Sequence, residues 1–469
     1  MSEDLSMKCG LEIHVQVDTN SKLFCQCPTN YKDVEPNTNI CPVCIGHPGA
    51  KPMPPNKKAI DMAIMVAKML GCEMVIDKDI YFQRKHYNYP DLPSGYQKTS
   101  VPIGEHGTFL GVGITEVHLE EDPGQYKPDL GTVDYNRSGT PLIEIVTDPD
   151  MKSPEEAREF LRQLLRLFRY IGNLRGEGTM RADTNISIKY NGIQGNRVEV
   201  KNVNSIRGVY KVLKYELIRQ KNVLRRGGEI KLETRAFMES QMITKGMRSK
   251  ETADDYRYIP DPDLQPIVLS NDWVEKVEAQ MPETPMNKEK RFVEQYGIKE
   301  DDAKVLVSDL ELADVFEKVV AELGNDKDGI SLAVTWIRNE LKRVLVYNKI
   351  EFFETNLKPE HMVELINSIK DKTISQKIGK TIIEQMVEHK GEKTPKELIS
   401  EMGLTVIEDT SELEKACEEA IKNSEKAIED YKSGNQRALN SVVGQVMKLT
   451  RGRAEPGTVV EILKKKIDG

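Results

Sequence analysis

The sequence predicts an α+β protein: a mostly antiparallel β-sheet domain, then an all-α helical domain, then a small helical C-terminal tail domain. Three observations carry this reading. Apolar and polar residues alternate with period two in LEIHVQV, GITEVHLEE, PLIEIVT, TNISIKY and RVEVKNV, all before residue 290, as expected of strands with one buried face. Beyond QMPETPMN at 280–287, whose two prolines mark a boundary, strand signals fade and charged helical text takes over. The charge then changes sign, since Glu408 to Asp430 holds nine acidic and three basic residues, whereas Gly434 to Gly469 holds seven basic and three acidic. The expected domains are therefore 1–290, 291–405 and 406–469.

Within the first domain, LEIHVQV opens the sheet with Glu12 and His14 on one face, two residues apart. His118, Glu120 and Asp122 alternate along VHLEED, with Glu121 on the opposite face, and Glu144 sits inside the otherwise apolar PLIEIVT. Ser153-Pro154-Glu155-Glu156 reads as a capping box with proline in the first turn. Phe160, Leu161, Leu164, Leu165, Phe168 and Ile171 then recur at helical spacing until Gly172 stops the helix. Asp183 and Asn185 lie in the next strand and Lys201 in the one after. In the helical domain a second capping box stands at Thr394-Pro395-Lys396-Glu397.

Composition excludes whole classes of function. A chain of 469 residues, 38% apolar and 30% charged, has material for two or three cores and no apolar run of about 18 residues. Its start, MSEDLSMKCGLEIHVQ, lacks the basic and apolar regions of a secretory signal, so a cytoplasmic protein without membrane association is expected. A net charge of −8 argues against a protein that coats nucleic acid all over and confines any RNA contact to a local basic patch.

Seven cysteines, an odd number without a secretory signal, argue against disulfides. Four of them form two close pairs, Cys25-Gln26-Cys27 and Cys41-Pro42-Val43-Cys44, which can converge on one tetrahedral ion. Zinc is the commonest occupant of such a site, an iron–sulfur cluster uses the same ligands, and unligated thiols are the remaining alternative. Four ligands leave no open position, so the expected role is structural. Cys9, Cys72 and Cys417 stand alone and read as small buried hydrophobes.

The acid-bearing strands need partners, because an unpaired buried carboxylate is costly. Either a hard cation such as Mg²⁺ or the cations Arg84, Lys85, His86, Arg137, Arg181 and Lys201 can supply them. Lysine and arginine beside Mg²⁺ are what phosphoryl transfer requires. No GxxxxGK[ST] loop or post-strand GxGxxG is present, nor a GxSxG or HExxH motif, so the residues alone define a metal-dependent enzyme of unplaced type.

GLEIHVQ, KLFCQC, EPNTNICPVCIGHPGA, RKHYNYPDLPSGYQ, HLEEDPG, DYNRSGTPLIEIV, RADTNISI, VEVKNVNS and DDYRYIPDPDL, with SGNQRALNSVVGQVMKLTRGRAEP near the end, closely resemble the GatB/GatE family of tRNA-dependent amidotransferase subunits. The GatE form carries an extra inserted domain, and the present length resembles the shorter GatB form. The resemblance implies a cradle-shaped sheet that takes ATP without a standard nucleotide loop, and a YqeY-like tail domain that contacts tRNA. It implies that the side-chain carboxylate of Asp-tRNA(Asn), Glu-tRNA(Gln) or both is phosphorylated, then amidated by ammonia channelled from a glutaminase subunit, GatA, with a small subunit, GatC, completing a heterotrimer. By the family pattern His14, Glu121 and Glu144 are the Mg²⁺ ligands, with Glu12 alongside. Lys85 faces the reacting groups, Asp183 and Lys201 line the cradle, and Arg84, Tyr87 and Arg181 hold the cofactor. The four cysteines match a zinc site present in some members, and Lys448, Arg451 and Arg453 read as tRNA phosphate contacts. Parity and family pattern agree on Glu121 only if that residue, not Glu120, faces the cavity. A tRNA-binding scaffold without catalytic acids is the competing reading.

Overall fold

The computed structural model describes residues 4–32, 34–87, 89–172, 180–201, 203–247, 256–324, 327–350, 352–404, 410–433, 435–450 and 453–468. The chain divides between Thr284 and Pro285 into two compact units, and the fold is α+β.

The first unit is built on one 13-stranded sheet. Its main strands are β1 (Leu5–Gln16), β2 (Phe82–His86), β3 (Tyr96–Ser100), β4 (Gly104–Phe109), β5 (Val112–Glu121), β6 (Pro141–Thr147), β7 (Met180–Tyr190), β8 (Val198–Lys201), β9 (Glu233–Met238), β10 (Ile243–Gly246) and β11 (Ile259–Pro260). They run across the sheet in the order β10-β9-β8-β7-β1-β6-β5-β3-β2-β11, with β4 paired to β5 off this path. Pairings along the path are antiparallel except β8 with β9, which is parallel and spanned by helix α3 (Ile206–Arg225).

The alternation read from the sequence decides what this sheet buries. Cys9, Leu11, Ile13 and Val15 of β1, Ile143 and Ile145 of β6, and Ala182, Ile186 and Ile188 of β7 are all at most 2% exposed and form its packed face. Helix α2 (Pro154–Ile171) starts at Ser153, whose hydroxyl accepts from the Glu156 amide. It stops at Gly172 in the left-handed region, φ 68°, where a glycine has no Cβ to clash. Its buried Leu161, Leu164 and Phe168 and the Val209, Val212 and Leu213 of α3 complete this core. Helix α1 (Lys57–Met69) is capped by Asn56.

The elements of the second unit are all helices among its described residues. Thr394 and Glu397 form the expected capping box. Leu413, Cys417, Ala420, Leu439, Val442, Val446, Ala454, Val459 and Leu463 close a small hydrophobic core of their own. No helix among the described residues is long and apolar enough to cross a membrane.

Candidate functional site

Strand register brings the polar face of the sheet together. His14 stands opposite Glu144 on one neighbour and Arg181 on the other, and Glu12 stands opposite Asp183. Cross-strand partners point to the same face, so these five side chains share it. Gln16, Leu142 and Glu120 form the next row, which adds Glu120. Lys85 pairs with Gln97, whose amide donates to Glu120 Oε2 at 3.1 Å. The result is a cluster around His14, whose Nε2 is 3.8 Å from Glu12 and 3.7 Å from both Glu120 and Glu144. On the far side Lys201 Nζ reaches Glu199 at 3.1 Å and Asp183 at 3.7 Å.

So many acids in one place cannot all ionise freely. Burial, with Glu120 and Glu12 nearby, pushes the Glu144 carboxyl well above the usual range. Burial acts the same way on Glu12, yet His14, the hydrogen bond shared with Glu144, Lys85 and Lys201 outweigh it and hold Glu12 at about 2. Without a cation, Glu12 is thus pushed toward its charged form and Glu144 toward its neutral form, the two sharing a hydrogen bond. Burial opposes the charge of Lys85, but Glu120, Glu144, Tyr258 and Glu12 outweigh it and raise its pKa. Lys201 is raised against its burial by Asp183, Glu199 and Glu12, while burial lifts Asp183.

The donor set fits a hard divalent cation. Ligand atoms of Glu12, His14 and Glu144 all lie within 4.8 Å of one another. Beside them Glu120, 1% exposed, has a buried Oε1 with no hydrogen-bond partner among the described residues, an acceptor left for a cation.

Two expected residues lie elsewhere. Glu121 falls on the opposite face of β5 from Glu120, and its Oε1 accepts from the Lys98 ammonium at 2.9 Å and the Lys98 amide at 3.1 Å. Arg84 falls on the opposite face of β2 from Lys85, its guanidinium donating to Asp261 at 2.8 and 3.1 Å and stacking 4.7 Å over Tyr96. The reason is the same for both: neighbours in a strand alternate sides. Arg181 stays on the functional face, 3.6 Å from Asp122, and the Tyr87 hydroxyl donates to Gln97 at 3.0 Å. Around Lys85 stands a set of rings of which the sequence assigned Tyr87 alone. Tyr87 packs edge-on against Tyr89 and Tyr256, Tyr256 packs against Tyr258, and the lysine lies 5.1 Å from the Tyr256 ring. The alternation Tyr256, Tyr258 in DYRYIP was the available signal, but nothing in the sequence tied it to Lys85. Glu199 and Gln97 were missed for the same reason.

The four-cysteine loop also closes. The Sγ atoms of Cys25, Cys27, Cys41 and Cys44 lie within 4.8 Å of one another, with Cys27 and Cys44 4.0 Å apart. Tetrahedral zinc–thiolate bonds of about 2.3 Å separate the sulfurs by about 3.8 Å, whereas a disulfide needs about 2.05 Å. The loop therefore fits a metal. A hydrogen bond shared with Cys25, the Cys41 amide and Lys22 hold the Cys44 thiol at about 4 despite its burial. Cys9, Cys72 and Cys417 are separate and buried.

In the tail, Lys448 is exposed, Arg453 donates to Glu412 at 3.1 Å, and Arg451 lies outside the described residues.

The pattern of the GatB/GatE catalytic domain matches residues 7–275, which contain every residue of the acid-lined face and the four-cysteine loop, and that of the GatB domain matches residues 314–467. The chain belongs to the GatB/GatE family. It is similar to the B-type subunit of the aspartyl/glutamyl-tRNA(Asn/Gln) amidotransferase of Methanococcus maripaludis strain C5, at 98% identity over the whole of both chains. Identity is 70% to the protein of the same name in Methanocaldococcus jannaschii, over 99% of each chain, and 58% to that in Methanothermobacter thermautotrophicus, over 98% of this chain and all of the relative.

Proposed function

We propose that this chain is the carboxylate-activating subunit of a tRNA-dependent amidotransferase, taking Asp-tRNA(Asn), Glu-tRNA(Gln) or both. The observation that carries the reading is the single sheet face on which Glu12, His14, Glu120 and Glu144 meet with Lys85 and Lys201 at its sides. The names of the relatives support the substrate class.

A carboxylate is a poor electrophile, so it must be activated before an amide can form. Its oxygen attacks the γ-phosphorus of ATP and ADP leaves; ammonia then attacks the acyl carbon and phosphate leaves. The first step brings two anions together, which the protein must make tolerable. Lys85 and Lys201 are held charged by the acids around them and supply fixed positive ends to that approach. Arg181 lies in the same row as His14 and suits a phosphate or carboxylate oxygen. Glu12, His14, Glu144 and Glu120 would hold Mg²⁺, which supplies charge neutralisation for the transferring phosphoryl group. Tyr87, Tyr256 and Tyr258 surround Lys85 with apolar ring area that thins the water around it.

Ammonia comes from a glutaminase subunit, with a small third subunit completing the assembly in the cytoplasm. The four cysteines hold a structural zinc, and residues 406–469 form a tRNA-binding tail in which Lys448 and, on exchanging Glu412 for phosphate, Arg453 contact the backbone. The test is Glu144→Ala in the assembled complex. Acyl phosphate formation from ATP is expected to vanish while tRNA affinity stays. Normal transamidation would reduce the chain to a tRNA-binding scaffold. Offering each misacylated tRNA in turn identifies the substrate.

A further inference from the structure

Lys22 carries its ammonium into the interior, beside the four-cysteine loop. It is 1% exposed, among the largest fully buried side chains of the molecule, and no acid lies within ion-pair distance of it among the described residues. Its ammonium donates to the carbonyl of Asn39 at 2.9 Å, the carbonyl of Tyr135 at 3.3 Å and the Sγ of Cys44 at 3.4 Å. The two carbonyls are neutral, so among its described partners the group that can carry a counter-charge is the thiol of Cys44. An isolated buried ammonium is costly and shifts or finds a counter-charge.

The pocket is built from the first strand's exit and a distant segment. Gly139, at φ 81°, passes against the lysine stem, its Cβ position 3.6 Å from Lys22 Cδ and 3.6 Å from Cys44 Cβ. The Ser138 hydroxyl donates to the Cys44 carbonyl at 2.9 Å, the Leu23 amide donates to Gly139, and the fully buried Asn136 ties Asn39 to Glu35 through its side chain. Residues 135–139 thus seal the ammonium against the sulfur cluster.

We propose that Lys22 is the counter-ion of the metal centre formed by Cys25, Cys27, Cys41 and Cys44, its ammonium donating to the Cys44 thiolate and offsetting the charge of the site. Four thiolates on a divalent ion leave a net charge of −2, which is expensive in a buried loop. One internal ammonium halves that charge. A hydrogen bond to a ligating sulfur also draws electron density from it, which slows its alkylation and oxidation. The inference rests on the metal reading of the four cysteines, and the experiment separates the two.

Zinc binding is measured on the full-length chain by chelator competition, beside the rate at which iodoacetamide alkylates Cys44 in the zinc-loaded protein. Lys22→Met keeps the bulk and removes the charge; Lys22→Arg keeps the charge. Lys22→Met is expected to raise the zinc Kd by about tenfold to a hundredfold and to speed alkylation of Cys44, with Lys22→Arg recovering most of both. On the unaltered chain, an amine-reactive ester is expected to spare Lys22 while zinc is bound and to modify it once zinc is stripped. Tight zinc binding with an unchanged Kd and alkylation rate in Lys22→Met overturns the role of the lysine alone, as does equal modification of Lys22 in loaded and stripped wild type. A wild-type chain that binds no zinc overturns both the metal centre and its counter-ion.

Discussion

Adjacent residues in a strand face opposite ways, and two pairs here turn on that fact. Glu120 meets His14 while Glu121 meets Lys98, and Lys85 meets the acids while Arg84 meets Asp261. Glu120→Gln is expected to lower acyl phosphate formation by on the order of a hundredfold or more at unchanged melting temperature. Glu121→Gln strands the buried ammonium of Lys98, so it is expected to cost about 3–5 kcal/mol of stability while the folded enzyme keeps its turnover. Calorimetry beside a single-turnover assay separates the two, and the reverse pattern would return the metal to Glu121. At the tail, Lys448→Ala is expected to weaken tRNA binding evenly and to lower the salt slope of binding by about one, a titration of affinity against salt being the check.

Among the elements, α3 is anchored to the sheet by a charge network rather than by apolar contact alone. Glu216, 0% exposed, accepts from Arg219 at 2.7–3.0 Å and from Gln220 at 3.0 Å, lies 3.3 Å from Arg235 of β9, and accepts from the Thr244 hydroxyl of β10. Burial works against its charge, yet Arg219, Gln220 and Thr244 prevail and hold its pKa below the ordinary 4.5. A depressed folded pKa stabilises the chain above the unfolded value and is lost as pH falls below it. Melting temperatures between about pH 3 and 6 should therefore fall more steeply in wild type than in Glu216→Gln. Elements of this kind show what the sequence could tell. Period two located β1, β5, β6, β7 and β8, and the caps at Ser153 and Thr394 located two helices, because these signals are local. The network on Glu216, the rings round Lys85 and the pocket of Lys22 join residues that strand order alone brings together, so no local pattern announced them. Parity put Glu120 and Glu121 on opposite faces, which the structure follows, but it did not say which of them meets His14.

For the whole molecule, the two units should respond separately to loss of metal. A structural tetrathiolate site couples metal binding to folding. Chelation, or Cys41→Ser, is therefore expected to lower the melting transition of residues 1–284 and leave that of 285–469 in place, as two resolved calorimetric transitions would show. Charge on this scale is an average: the −8 of the chain conceals a sheet face whose acids are offset by Lys85 and Lys201. The position of β1 has a further consequence, for biosynthesis. The first of these strands to be made is the central one, and its neighbours are β6 at 141–147 and β7 at 180–190. A chain emerging from the ribosome thus holds an unpaired strand, apolar on one side and carrying Glu12 and His14 on the other, until β6 has cleared the exit, and one edge of it stays open until β7 follows. The centre of the sheet therefore closes late, by long-range pairing. No product truncated before β7 can assemble the acid-lined face.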